Sequence, residues 1–420
     1  MGRFALKFLL FLSILFFVSI TESISQTTTQ LINNQLTRSP NLGIYIKNLT
    51  TGKIVSRYNS NKKFIPASNQ KIVTTLSSLN YLGENFQFNS YFFLIDKKES
   101  TFTKSIVKTK GVTRNFYVDT KGDPTFRSSD LKKIVRFFKK RGLKRIEGNI
   151  IIENKYFEEP YYNKNWKKSW KGLSWAPHIS SIAIDDNLYT VKDSEDLLMT
   201  DNPLYLLGIK LLREFKRQNI EVKGKILLSR IPWKAKFKLN KILYKHSSAE
   251  LYNIVKVINK RSNNLYAEQL FKKLSASFHR TPGSWKSSSK FVSNFLSNKV
   301  GLDEKTFYIS DGSGLSRKNK ITPKSMVTLL EFSKNSNYFD YFYNSLAVGG
   351  VDGTLLRRFK SKPLYKNLRA KTGYIKSVSS LSGFFKSKNG DLYAFSIIVN
   401  DYNYSIRPFI ERLLTKVYYL

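Results

Sequence analysis

The run PASNQKIVTTLSSLNYLG (residues 66–83) passes from a proline-led turn into a helix. Ile72, Leu76 and Leu79 recur at helical spacing, which predicts a buried face. Ser68 stands at the start of that helix, with Lys71 three residues on. Residues i and i+3 share a helix face, so the Lys71 amine can lie beside the Ser68 hydroxyl. A helix N-terminus also turns its amide hydrogens and partial positive charge on whatever attacks or leaves there. The pattern S-x-x-K means little alone, because Ser60–Lys63, Ser105–Lys108, Ser129–Lys132 and Ser287–Lys290 also fit. Position is what singles out Ser68.

Outward from this helix, residues 41–49 and 53–58 alternate like strands around Thr50-Thr51-Gly52, a hairpin signal. From about Asn85 to Lys241 the texture changes to short strand-like runs: FQFNSYFFLI, RNFYVDT, GNIIIEN, SSIAIDDNLYTV and KGKILLS. Helical patterns return over residues 249–258, 265–277 and 323–334. The chain closes with LRAKTGY, SVSSLSGFFKS and DLYAFSIIVN, which read as a β-meander, followed by a helix over residues 406–419. This organisation predicts a strand–helix domain, residues 26–84 and 242–420, split by a β-rich insertion over 85–241 holding one or two small domains.

Composition narrows the chemistry. The 420 residues include no cysteine, which excludes disulfides, thiolate zinc sites and cysteine nucleophiles, and only three histidines (His178, His246, His279), without metal-ligand spacing. Hydroxyls, lysines and carboxylates remain for hydrolytic work, and neither a metal nor a cofactor is expected. Residues 1–25 carry Arg3 and Lys7, an apolar run from Leu9 to Ile20 and small residues Ser23 and Ser25, the pattern of an export signal too short to span a bilayer. Export to the periplasm or another extracytoplasmic part of the envelope argues against an intracellular nucleic-acid role, although 71 Lys and Arg against 30 Asp and Glu leave a net charge of +41.

Two further motifs follow in order. Ser262-Asn263-Asn264 is an S-x-N between two helical runs, and Lys371-Thr372-Gly373 occurs once, on a predicted strand. S-x-x-K, S-x-N and K-T-G in that order are the signature of penicillin-binding proteins and related β-lactamases. The chain closely resembles the penicillin-binding D-alanyl-D-alanine carboxypeptidase/endopeptidases of low molecular mass with a large insert. The 194 residues from Ser68 to Ser262 exceed what a single-domain β-lactamase places there, and PASNQK (66–71), GDPTF (122–126), DGSGLSR (311–317) and GVDGTL (350–355) extend the match.

The resemblance implies an α/β fold: a serine transpeptidase/β-lactamase-like core, an antiparallel sheet with helices, interrupted by a mainly β insertion. It implies Ser68 as nucleophile, Lys71 as the group that takes its proton with Lys371 as the second cation lowering its pKa, and Ser262 as relay between Lys71 and the leaving amine. Asn264 would bond the substrate backbone. Lys371 and Thr372 would bind the terminal carboxylate of peptidoglycan peptides ending in D-Ala-D-Ala, and Gly373 would let the substrate strand lie flat. The backbone amides of Ser68 and Tyr374 would form the oxyanion hole, and Ser313 and Arg317 would line the cleft. β-Lactams would acylate Ser68 and inhibit.

Two departures stand out. The family usually has Thr or Ser where this chain has Tyr374, and the stretch at 163–175, NKNWKKSWKGLSW, has no carboxylate where several members read the amino group of diaminopimelate with one. Other readings stay open: a β-lactamase or esterase with the same site, or a non-catalytic polyanion-binding envelope protein. Residues 131–145 (LKKIVRFFKKRGLKR) read as a helix packed by Leu131, Ile134, Val135 and Phe138 with its lysines in solvent; the alternative is a weak contact patch for a membrane surface or wall polymer. Asp123 reads as a turn residue beside Pro124. Asp185-Asp186-Asn187 lacks the spacing of a calcium loop.

Overall fold

The computed structural model describes residues 30–35, 41–95, 111–190, 197–229, 244–279, 281–402 and 405–420; the export signal expected over residues 1–25 lies outside them. The central sheet has six antiparallel strands. They are β1 (Leu42–Asn48), β2 (Ile54–Tyr58), β8 (Ala347–Val348), β9 (Arg369–Ile375), β10 (Val378–Lys386) and β11 (Leu392–Asn400), in the order β8-β9-β10-β11-β1-β2. Leu42 pairs with Val399 and Asn48 with Tyr393, so strands about 350 residues apart in sequence are stitched into one sheet.

Strand period sorts the two faces. Leu381, Phe385, Phe395, Ile397 and Val399 pack beneath the sheet against helix α9 (Arg407–Tyr418). Phe384, Ala394 and Ile398 face the main helical core. That core gathers α1 (Gln70–Leu82), α4 (Leu251–Arg261), α5 (Asn264–His279), α6 (Trp285–Asn298), α7 (Pro323–Lys334) and the short α8 (Phe339–Ser345). Helices α6 and α8 were not anticipated; the others match the helical spacing read from the sequence.

The second sheet takes β3 (Asn89–Ile95), β4 (Asn115–Asp119), β5 (Ile150–Glu153) and β6 (Ile226–Ser229) from the insertion and β7 (Tyr244–Ser247) from just past its expected end at residue 241, in the order β6-β5-β4-β3-β7. Strands β4, β5 and β6 run parallel, which requires crossover connections, and helices α2 (Ser128–Lys140) and α3 (Pro203–Arg217) supply them. Leu131, Ile134, Val135 and Phe138 of α2 are buried, as their spacing predicts. Helix α3 carries the same kind of stripe, Leu204, Leu207, Leu211 and Phe215, and was not read beforehand. Asp185 bonds the Ser128 amide at 2.9 Å, so its carboxylate caps the start of α2. Asp123 accepts from the Thr125 amide and hydroxyl, both at 2.7 Å, the turn contact expected of it.

Between these two sheets the chain doubles back. Tyr156, Phe157, Tyr162, Trp166, Ala176, Ile179 and Ala183 are buried in the main helical core, not in that of the insertion sheet. A segment whose sequence lies within the insertion therefore forms part of the wall around Ser68.

Candidate active site

The serine sits on a turn that side chains of the central sheet hold in place. Residues 67–69 form a single 3-10 turn leading into α1, with Ala67 at φ 47°. Ser380 Oγ on β10 donates to the Pro66 carbonyl at 2.6 Å, and Asn400 brackets Ile65, accepting from its amide at 2.8 Å and donating to its carbonyl at 3.2 Å. The Asn69 amide, oriented to satisfy both ends, donates to the Lys371 carbonyl at 2.7 Å and accepts from the Ser382 amide at 3.2 Å. Asn69 occupies the N-cap of α1 yet makes no capping bond, which costs about 1 kcal/mol. Burial of Ile72, Val73, Leu76 and Leu79, each worth roughly 1.5–3 kcal/mol, exceeds that loss. The cap is thus traded for a tie between nucleophile turn and strand.

Lys71 Nζ lies 3.0 Å from Ser68 Oγ, and donates to Asn264 Oδ1 at 2.6 Å and to the Ser313 carbonyl at 2.6 Å. It is fully buried. Burial lowers its pKa to about 7, against the charges of Glu268 and Asp311, which raise it. In its neutral form the amine can accept the Ser68 proton across that same 3.0 Å contact.

Ser262 sits at φ 56° where α4 ends, a left-handed conformation uncommon outside glycine. Its hydroxyl accepts from Lys371 Nζ at 2.9 Å. Here the expected arrangement changes: Lys71 turns toward Ser68, Asn264 and Ser313, and Lys371 is the amine that holds Ser262. Lys371 is fully buried, and burial together with the Lys71 charge holds its pKa well below the ordinary lysine range. The lowering expected at Lys71 from a second cation falls instead on Lys371 itself.

Three more residues differ from expectation in what they touch. Asn264 spends its amide on Lys71 and on the Trp175 carbonyl, to which Nδ2 donates at 2.6 Å, so in this state it orients the lysine. Ser313 is buried and presents its backbone, not its hydroxyl, to the site. A side chain on Gly373 would meet Ser380 Oγ at 2.2 Å, the Pro66 carbonyl at 2.7 Å and the Ser68 amide at 3.0 Å. The missing side chain therefore makes room for the serine turn. Thr372 Oγ1 donates to Thr354 Oγ1 at 2.8 Å, which ties the strand to the GVDGTL stretch. Tyr374 is 68% exposed at the mouth. Arg317 also lies there, its Nη1 donating to the Lys376 carbonyl at 2.9 Å just past β9.

Sequence reasoning missed Asn69, Glu268, Trp175 and Thr354. Only Glu268 carries a legible signal, since it follows Asn264 by one helical turn on the same face. Among the described residues no cluster of three metal-ligating side chains occurs.

A buried amine against a serine hydroxyl at a helix start, with a second amine–hydroxyl pair across the cleft, defines a serine acyl-transfer site. The sequence model of the D-Ala-D-Ala carboxypeptidase 3 (S13) family matches residues 24–196 and 192–413, and the chain belongs to that family. It is 25% identical to D-alanyl-D-alanine carboxypeptidase DacB of Haemophilus influenzae over 89% of this chain and 88% of that protein. A D-alanyl-D-alanine carboxypeptidase of Actinomadura sp. (strain R39) is 23% identical over 86% of this chain and 78% of that protein. The crystal structure of penicillin binding protein 4 (dacB) from Haemophilus influenzae shares the fold at a TM-score of 0.81 and 23% identity, over 93% of this chain and 99% of that one. Bd3459, a predatory peptidoglycan endopeptidase from Bdellovibrio bacteriovorus, shares it at 0.56 and 17% identity, over 85% of each chain.

Proposed function

We propose that this serine carboxypeptidase releases the terminal D-alanine from peptidoglycan peptides ending in D-Ala-D-Ala, cleaves D-amino-acid cross-links by the same route, and is acylated by penicillins. The carrying observation is the 3.0 Å contact between Ser68 Oγ and a buried Lys71 whose pKa lies near 7. Ser68 Oγ bonds to the carbonyl carbon while Lys71 takes the hydroxyl proton; the C–N bond then breaks and Lys71 gives that proton up to the departing nitrogen, with the Ser262 hydroxyl, held by Lys371, as the relay. Water then attacks the ester, Lys71 again accepting a proton, and Ser68 is restored. The amides of Ser68 and Tyr374 would stabilise the oxyanion. Beyond Ala370, the last β9 residue paired with β8, the outer edge of β9 has no strand partner among the described residues, which leaves room for an extended peptide. The arrival of a carboxylate at Lys371 and Thr372 would return to Lys371 the proton that burial disfavours.

The division into a catalytic domain (26–84 and 242–420) and an insertion (85–241) has the two separate sheets in its favour, except that β7 (Tyr244–Ser247) closes the second sheet from just past residue 241. Export through residues 1–25, and a contact between the basic outer face of the insertion and anionic envelope surfaces, complete the reading. The test is mass spectrometry of the intact protein after benzylpenicillin. One adduct mapped to Ser68 is expected, absent in Ser68→Ala, together with D-alanine release from a D-Ala-D-Ala peptide. An adduct that persists in Ser68→Ala refutes the assignment; rapid hydrolysis of the drug with no lasting adduct would favour a β-lactamase.

A further inference from the structure

We propose that Glu268 is a positioning residue of this site: its carboxylate holds the turn whose Ser313 carbonyl receives Lys71, and supplies the negative charge against which the Lys71 amine ionises. The inference rests on the serine–lysine reading above.

Glu268 has no exposed surface. A carboxylate stripped of water costs several kcal/mol unless its lone pairs are occupied. Here Oε1 accepts from the Gly312 amide at 3.1 Å and the Ser313 amide at 2.7 Å, Oε2 accepts from Trp285 Nε1 at 2.7 Å, and the Ser313 hydroxyl also bonds the carboxylate. Ser313 is thereby held from both ends, its amide on Glu268 and its carbonyl on Lys71 Nζ. Thr74 Oγ1, one turn beyond Lys71, donates to the neighbouring Gly312 carbonyl at 2.7 Å, so the turn is also pinned to the helix that bears the nucleophile.

The charge acts alongside the geometry. The ionisable groups around Lys71 are Glu268 from α5, Asp311 from the DGSG turn and Lys371 from β9; those around Glu268 are Lys71, Asp311 and, one turn further on α5, Lys272. Burial pulls Lys71 down and both carboxylates pull it back, to about 7. Burial and the Asp311 charge push Glu268 up to about 7. A base is most useful when its pKa lies near the working pH, because it must take a proton from Ser68 and return one to the leaving amine. Without Glu268, Lys71 would lose its proton more readily and become a weaker base.

The test is the pH dependence of the second-order rate of acylation by labelled penicillin, measured on the full chain. In Glu268→Gln, whose Oε1 can still accept from the turn, the acid limb should move to lower pH by about one unit, the effect of losing a nearby opposite charge, and the plateau should fall. Glu268→Asp keeps the charge, so its midpoint should stay near that of the parent while its plateau falls. Trp285→Phe removes one donor and makes Glu268 easier to protonate, so its limb should move the same way as in Glu268→Gln, by less. If the limb stays in place in both Glu268→Gln and Trp285→Phe while only the plateau or the melting temperature drops, Glu268 is merely structural and the proposal fails. Should Glu268→Gln not fold, the other two variants decide. Failure of the serine assignment itself shows separately, as an adduct surviving in Ser68→Ala.

Discussion

A lysine amine in water keeps its proton to about pH 10.4 and is a poor base at neutrality. At Lys71 burial brings the value to about 7, so the neutral, competent form dominates above that pH and is lost below it. Acylation of Ser68 by penicillin should therefore climb between about pH 6 and pH 8 and flatten beyond, the neutral fraction rising from about a tenth to about nine-tenths across that window. A flat rate over the same range would remove Lys71 as the base. Gly373 offers a second test at this scale. The Cβ of Gly373→Ala would fall 2.2 Å from Ser380 Oγ and 3.0 Å from the Ser68 amide, so the strand must retreat from the serine turn. Loss of one oxyanion donor typically costs about 10²–10³ in rate; stopped-flow acylation should show a fall of that order, with little change in melting temperature because the displacement is local.

At the scale of elements, the site depends on two turns meeting at van der Waals distance. Gly314 has φ +86°, and a side chain there would approach the Ala67 carbonyl to 1.8 Å, on the turn that carries Ser68. Gly314→Ala should cost roughly 1–3 kcal/mol in urea unfolding, from backbone strain and from the forced separation of the turns. Acylation should drop with it, because the separation moves Ser313 and with it Lys71. The DGSG turn is further fastened by Asp311, which accepts from the Gly314 amide at 2.8 Å, the Ser316 amide at 2.6 Å, Asn319 Nδ2 at 2.7 Å and Trp166 Nε1 at 2.8 Å. Trp166 comes from the segment that doubles back between the sheets, so the insertion buttresses the catalytic turn directly. Trp170 and Trp175, whose rings lie 4.8 Å apart, continue this segment to Asn264.

For the whole molecule, a net charge of +41 is far more than folding or the acyl-transfer site requires. On α2 the apolar stripe is buried while Lys132, Lys133, Arg136 and Lys140 face outward, with Asp130 the one acidic residue on that helix. The solvated-helix reading and the contact-patch reading are thus compatible: one face packs and the other is free to meet an anionic surface. Co-sedimentation with phosphatidylglycerol vesicles should be strong at low salt and collapse toward 1 M, where the screening length falls to about 3 Å. Reversing those four charges to Glu should weaken binding severalfold and leave penicillin acylation unchanged. Binding that is insensitive to salt and to the reversal would dissociate the charge from any surface role.

The order of amino acids by itself determined the nucleophile helix, the hairpin and closing meander, the apolar face of α2 and the three motifs, because each rests on periodicity or spacing within a few residues. Helix α3 carries a stripe as legible as that of α2, whereas in α6 and the seven-residue α8 polar and aromatic residues blur theirs. Helical spacing already sets Lys71 beside Ser68, but only the tertiary structure decided that Lys371, and not Lys71, meets Ser262. The same holds for Glu268 and Trp166, whose partners lie tens to more than a hundred residues away, and for Gly373, whose empty side turned out to face the serine. Distances between remote side chains follow from how sheets and helices stack, and no local pattern encodes them.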